Sequence, residues 1–320
     1  MDSAIRAFKI NLEKLNWVPG ITYLRSKSFL TPRLGKLHLY PPRPLHIPDN
    51  YHNTPSEHKN CLSICIVTPS FKSGCYIEDT IKSVVEQGYP GLQYVIQDGG
   101  SDDETGSIIQ KYEETLKAWE SRPDKGQAHA INLGFAKAQG DVMAWLNADD
   151  LLLPGTLDYI NNFFQANPKV DVVYGHRVLI DSDNNEIGRW ILPPHCHHTI
   201  TWHDFIPQET LFWRKSIWKK AGGRIADEMQ FAMDWEFILR LREVGANFVR
   251  LPRFTGAFRV HPDMKSIKDV NTVGVQEMNM LRKRYRDPDV DDDQLEHHIR
   301  SYLRYHLFLD RLYKCGVLKY

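Results

Sequence analysis

Beginning at residue 62 the apolar positions fall into two alternating rhythms. Residues 62–67 form a short run rich in β-branched side chains, which predicts a strand. Ile77, Ile81, Val84 and Val85 then recur at helical spacing until Gly88 and Pro90 stop them. The cycle repeats with a strand over 92–96 and a helix carrying Ile108, Ile109, Tyr112 and Leu116. A helix over 126–139 and a strand over 142–146 follow. Such alternation implies a mostly parallel sheet with helices on both faces, hence an α/β fold. Further strands are predicted over 170–174, 178–180 and 187–192, the last two joined as a hairpin across the polar stretch 181–185. Beyond Trp202 the pattern turns helical, with Phe237, Leu239 and Leu241 in a helix ahead of a strand over 248–251. Leu295, Ile299, Tyr302, His306, Leu309 and Tyr313 mark a C-terminal helix that packs on the body or on a second subunit.

The first sixty residues read differently. Ile5, Phe8, Leu12 and Leu15 suggest a short amphipathic stretch, and Pro41, Pro42, Pro44, Pro48 and Pro55 an extended arm. With Arg6, Lys9 and Lys14 the stretch could lie on a membrane surface as a peripheral contact, although packing on the protein's own core is the favoured reading. The expected division is therefore an arm over 1–60, an α/β domain over 61–265 with halves at about 61–180 and 181–265, and a helical extension over 266–320.

Composition narrows the choice of partners. The 320 residues hold 40 basic and 40 acidic side chains, so no global field draws the chain to nucleic acid or acidic lipid. Five cysteines without a CxxC pair favour a reducing, cytoplasmic setting. The sequence has no run of eighteen apolar residues and no apolar leader, so the expectation is a soluble or at most peripheral protein.

In an open parallel sheet ligands bind beyond the carboxyl ends of the strands. Three such ends are polar here: Thr68-Pro69-Ser70-Phe71, Asp98-Gly99-Gly100-Ser101-Asp102-Asp103 and Asn147-Ala148-Asp149-Asp150. Each alone reads equally well as a turn or helix cap. Asp149 and Asp150 after an apolar strand would repel one another unless a cation relieved them, and magnesium or manganese with a diphosphate suits such a pair. For Asp150 an N-cap to the helix after Pro154 is an equal reading.

These segments, with Arg122-Pro123-Asp124-Lys125-Gly126, Trp145-Leu146 and Asp234-Trp235-Glu236, resemble a family 2 glycosyltransferase with the GT-A fold, in order and spacing over about residues 60–265. That fold is a Rossmann-like nucleotide-binding mixed sheet flanked by helices. The resemblance implies inverting transfer from a nucleotide-sugar donor, UDP- or dTDP-linked, to a saccharide or lipid-linked saccharide acceptor in polysaccharide or glycoconjugate synthesis. It implies that Thr68, Pro69 and Ser70 line the nucleoside pocket, that Asp98 holds the pyrimidine, and that Asp124 and Lys125 shape the donor site. Asn147-Ala148-Asp149 corresponds to the Asp-x-Asp metal motif with Asn in place of its first acid.

By the same resemblance Asp149 and His261 of Arg259-Val260-His261 hold the divalent cation, and Asp234 is the general base, with Glu236 in support. Gln208-Glu209-Thr210 and Trp213 fall at the acceptor cleft, although core packing suits Trp213 as well. A solvated lysine at 125 and a locally satisfied histidine at 261 are the plainer alternatives. The histidines 195, 197, 198 and 203 lack zinc spacing and read as exposed loop residues. Two other functions fit less well: a catalytically impaired carbohydrate-binding scaffold, which Asn147 would suit, and a sugar-phosphate nucleotidyltransferase, whose glycine-rich basic loop residues 68–74 do not supply. Self-association through the C-terminal helix is a further expectation.

Overall fold

The computed structural model describes residues 39–51, 61–138, 140–262, 264 and 273–320. The amphipathic stretch at Ile5–Leu15 and Pro55 lie outside them. Strand β1 (Ile64–Ser70) is buried along its whole length, as a strand covered on both faces must be. Its alternation sorts the core: Ile64 and Ile66 face one layer, Cys65 and Val67 the other. Helix α1 (Ile77–Val85) carries the chain to β2 (Leu92–Asp98), which pairs in parallel with β1 and sets Ser70 opposite Asp98. Helix α2 (Thr105–Lys111) leads to β3 (Ala118–Ser121), parallel to β2. Helix α3 (Gln127–Lys137) returns the chain to β4 (Val142–Trp145) on the other side of β1. Four parallel strands thus bring their carboxyl ends to one edge.

The second half closes the sheet. After the two-residue β5 (Leu151–Leu152) and α4 (Thr156–Ala166), β6 (Val172–Ile180) and β7 (Glu186–Trp190) form the expected hairpin. Strand β8 (Phe212–Arg214) lies antiparallel between β4 and β6, followed by α5 (Lys215–Lys220) and α6 (Met233–Glu243). Strand β9 (Phe248–Arg259) runs parallel to β6 and ends against β5. Ile77, Ile81, Ile109 and Ile160 of α1, α2 and α4 pack on one face, and Ile131, Phe135, Trp218 and Phe237 of α3, α5 and α6 on the other. Each such side chain removed from water contributes roughly 1.5–3 kcal/mol. The sheet is mixed rather than mostly parallel, because β8 reverses direction in its middle.

Several elements differ from the sequence pattern for identifiable reasons. Residues 172–180 are one strand, not two: Gly175 does not break it but lets β9 approach, since a Cβ there would lie 2.3 Å from the Thr255 hydroxyl. Strand β9 continues well past residue 251 because Pro252 falls where the β6–β9 register shifts, a position that needs no ladder hydrogen bond. Helix α2 ends at Lys111, and Glu113–Thr115 form a separate 3-10 turn.

The arm and the C-terminus meet on the far side of the hairpin. The Tyr40 and Arg43 amides donate to Ile187 and Glu186 carbonyls on β7 at 2.9 and 3.1 Å. The Glu186 carboxylate is wholly buried. Burial opposes its charge, but Arg189, Tyr40 and Arg43 more than offset this and hold it down at about 2. Helix α7 (Val275–Arg284) and α8 (Asp292–Lys314) follow, the second opened by a capping box between Asp291 and Gln294. Helix α8 packs on the body, with Tyr302 against Phe205 (centroids 4.6 Å apart) and Tyr313 against Phe254 (5.8 Å).

The histidine-rich loop is not the exposed loop expected. Among its histidines only His197 is exposed. His195 stacks flat on Phe248 with centroids 4.5 Å apart. Burial, helped by His197 and Arg242, pushes its imidazole down to about 3; burial and Arg282 push His203 to about 4. The fold refuses protons that the unfolded chain takes up below about pH 6.5, so stability is lost as pH falls through that value, by about 1.4 kcal/mol per unit for each histidine. Urea unfolding at pH 7.5 and 5.0 should show this drop. His195→Phe, which keeps the stack, should make it smaller by about 2 kcal/mol; an unchanged difference would mean that His195 is protonated in the fold.

Candidate functional site

The loops after β1 and β2 are built against each other. The Gly99 amide donates to the Ser70 carbonyl at 2.8 Å. Gly100 has φ +80°, and a Cβ there would meet the Pro123 nitrogen at 2.9 Å, so the loop lies close on residues 122–124. A Cβ on Gly99 would fall between the Phe71 ring and the Asp124 carboxylate, at 3.2 and 3.3 Å. Phe71 is 60% exposed beside Gly99. Ser70 is buried there and its hydroxyl has no hydrogen-bond partner, an orphan group that a ligand would satisfy.

The other nucleoside residues are placed less openly. The Thr68 hydroxyl is shared with that of Tyr94 inside the protein (2.9 Å), and Pro69 is buried in the strand. Asp98 is fully buried: Oδ2 accepts from the Gly100 and Ser101 amides (3.1 and 2.9 Å) and the Ser121 hydroxyl (2.5 Å), and Oδ1 from the Ser101 hydroxyl (2.6 Å). In this arrangement its carboxylate shapes the loop. Asp124 accepts from the Gly126 amide at 2.7 Å, and the Lys125 side chain is exposed beside it.

Beyond β4 the chain turns through a buried knot. Asp149 Oδ2 lies 3.0 Å from His261 Nε2. Arg259, wholly buried, holds both sides: its amide donates to Asp150 Oδ1 (3.0 Å), its Nε to the Asp149 carbonyl (2.8 Å) and its Nη1 to the Asp181 carbonyl (3.1 Å). The Tyr76 ring packs beneath both His261 and Arg259, 4.8 Å from each. Asn147 is tied into the protein, its Oδ1 accepting from Gln127 (2.8 Å) and its Nδ2 donating to Asp150 and Gln208 (3.2 Å each). The Ala148 side chain turns into the core rather than to a ligand. Asp150 is not a helix cap, since Gly155 with φ +64° precedes α4. Burial, with Asp149 and Glu209 adding repulsion, pushes the Asp150 carboxyl well above the usual range, and the Arg259 amide and Arg177 offset this only in part. Among the described residues no three His, Cys, Asp or Glu side chains converge as a metal cluster. An Asp–His pair nonetheless fits a divalent ion that takes its remaining ligands from phosphate and water.

Asp234 sits in the first turn of α6, with Oδ1 accepting from the Trp235 amide at 2.8 Å. The Trp235 indole donates to the Ile200 carbonyl (2.8 Å), fixing that turn to the loop before it. Asp204 lies nearby: burial, then the Asp234 carboxylate, raises its carboxyl well above the ordinary range. Glu209 forms a two-pronged ion pair with Arg177 (2.7 and 2.5 Å) and Glu236 one with Arg240 (2.9 Å), joined by the Tyr285 hydroxyl at 3.1 Å. Both carboxylates are therefore structural. Trp213 is fully buried among Trp145, Trp218 and Phe237, which settles it as core and removes it from the acceptor cleft.

Arg177, Asp204, Gln127 and Tyr76 were not singled out by sequence. A charged residue inside an otherwise apolar strand was the available signal for Arg177. Its guanidinium is 13% exposed and faces Glu209, Asp150 and Asp204 together. Arg177→Met leaves these carboxylates without their cation and should cost about 3–5 kcal/mol of stability by denaturant titration. Arg177→Met with Glu209→Leu should recover much of that loss; a double variant as unstable as the single would break the assignment.

The described geometry has relatives. The family model described as "Glycosyl transferase family 2" matches residues 65–232. The putative teichuronic acid biosynthesis glycosyltransferase TuaG of Bacillus subtilis is 37% identical over 144 residues, 44% of this chain and 56% of that protein. An uncharacterized glycosyltransferase of Haemophilus influenzae is 30% identical over 131 residues, 40% of this chain and 52% of that one. These matches span about half the length of the relatives. Among solved structures, S. aureus TarS 1–349 in complex with UDP-GlcNAc superposes with a TM-score of 0.59 at 16% identity, covering 77% of this chain and 73% of that one. The mannosyltransferase PcManGT of Pyrobaculum calidifontis, in complex with GDP-Man and Mn2+, gives 0.55 at 18% identity over 93% and 79%. At these identities the likeness establishes the fold, a GT-A sheet with a helical C-terminal segment. With the family model covering more than half of it, the chain belongs to glycosyl transferase family 2.

Proposed function

We propose that this protein transfers a sugar from a nucleoside diphosphate donor, UDP- or dTDP-linked, to a hydroxyl of a saccharide or lipid-linked saccharide, with inversion. The observation that carries this is the Asp149–His261 pair at the same sheet edge as Ser70, Gly99 and Asp124, with Asp234 linked to it through the neighbouring carboxylates Asp204, Glu209 and Asp150. Asp149 and His261 would hold a manganese or magnesium ion, which when bound offsets negative charge on the leaving diphosphate. Ser70, Phe71, Asp124 and the loop shaped by Asp98 receive the nucleoside, and the exposed Lys125 brings a positive charge beside the phosphates.

In the transfer the acceptor oxygen bonds to the anomeric carbon as that carbon's bond to the diphosphate oxygen breaks. The acceptor's proton goes to the Asp234 carboxylate, the general base. Glu209 and Glu236 are each held in an ion pair by an arginine, which argues against either of them as the base. The name of the Bacillus relative supports a setting in cell-envelope polysaccharide synthesis. A cytoplasmic site of action, at the membrane face where lipid-linked acceptors lie, suits such a donor; no described helix is long and apolar enough to cross a membrane.

Two experiments test the reading. Asp234→Asn keeps the shape and removes the proton acceptor, so transfer should fall at least about a hundredfold with donor affinity within a few-fold and an unchanged melting temperature. Lost donor binding with a retained rate would instead place Asp234 in the nucleotide site. Chelation should abolish turnover in a screen of nucleotide sugars, and Asp149→Ala should remove the manganese-dependent part of donor binding by calorimetry. Full turnover in excess chelator would leave leaving-group stabilisation to protein cations alone.

A further inference from the structure

The C-terminal half of α8 presents a face that no other described residue covers. Tyr305 and Phe308 are 45% and 53% exposed and stack on each other with centroids 6.3 Å apart; Val317 just beyond the helix is 67% exposed. Ser301, Arg304, Tyr305, Phe308, Arg311 and Cys315 are all exposed at three- and four-residue spacing, one continuous stripe. The charge on this half is one-sided. Residues 303–320 hold Arg304, Arg311, Lys314 and Lys319 against a single acid, Asp310, which is buried and bonded to Lys314 at 2.6 Å.

A second observation comes from the other end of the chain. Tyr40 and Arg43 line a cavity of about 770 Å³ together with Tyr313, Lys314 and Lys319. Aromatic rings set among cations repel a second copy of themselves, and residues 1–38, with seven Lys and Arg against Asp2 and Glu13, carry the same sign of charge. They complement a negative surface into which rings can sink. The zero net charge of the whole protein does not oppose this, because such attraction acts within about a Debye length, roughly 10 Å.

We propose that this face of α8 docks the protein on an anionic lipid surface, with Tyr305, Phe308 and Val317 among the headgroups and Arg304, Arg311 and Lys319 against the phosphates. The inference does not depend on the transferase reading.

Flotation of the purified full chain with vesicles tests it. Wild-type protein should float with phosphatidylcholine vesicles containing about 30% phosphatidylglycerol, not with phosphatidylcholine alone, and less in about 0.5 M salt. Tyr305→Glu with Phe308→Glu should lower the bound fraction at least about fivefold, and Arg304→Gln with Arg311→Gln should lower it similarly, at unchanged melting temperature. Equal flotation with neutral vesicles, or no flotation with anionic ones, overturns the proposal. So does wild-type flotation of both variants, which would move the contact to another part of the chain. If sedimentation shows the Tyr305/Phe308 variant changing from dimer to monomer while vesicle binding stays intact, the face is a contact between copies and the proposal fails.

Discussion

The hydrogen bonds of Arg259 hold together the parts on which the site depends. One buried guanidinium and its own amide tie the turn after β4 to the end of β9 and to the β6–β7 hairpin. His261 follows two residues later, so the same fixing that holds the Asp149 backbone also sets the imidazole against the Asp149 carboxylate. A buried arginine is costly to desolvate, and here it is compensated by carbonyls and by the Tyr76 ring. Its remaining Nη2 has no hydrogen bond and lies 3.7 Å from Asp79.

Around Arg177 burial governs, and charge crowding adds to it. Asp150, Asp204 and Glu209 face that one guanidinium. Burial first, then repulsion from neighbouring carboxylates, pushes Asp150 and Asp204 upward, and Arg177 offsets this only in part. Asp234 adjoins this group through Asp204, in the first turn of α6.

The sequence made the donor half legible because its signals are local. An apolar run followed by a polar turn marks β1, β2 and β4, and their parallel pairing puts the turns at one edge without further information. What escaped was either short or non-local. Strands β3, β5 and β8 have four, two and three residues, too few for any periodicity to register. The Arg177–Glu209 pair joins residues 32 apart, and nothing in either neighbourhood announces the other. The histidine loop misled because composition says nothing about which face a loop turns inward; stacking on Phe248 decides that. Family resemblance pointed to Asp98 and Thr68, and the structure adds that both are spoken for by internal hydrogen bonds.

The pairing of β6 with β9 has a consequence for motion. Eight residue pairs, from Val172 with Phe248 to Ile180 with Arg259, join these two strands across the register shift, and β8 joins β6 to β4. A hinge between β4 and the β6–β9 pair would have to tear this ladder, losing hydrogen bonds and buried area at once. Closure by rotation of two lobes is thereby excluded as a low-energy movement. Adaptation to a substrate must come from the loops that rim the sheet edge, while the sheet itself keeps the reacting groups at a fixed separation.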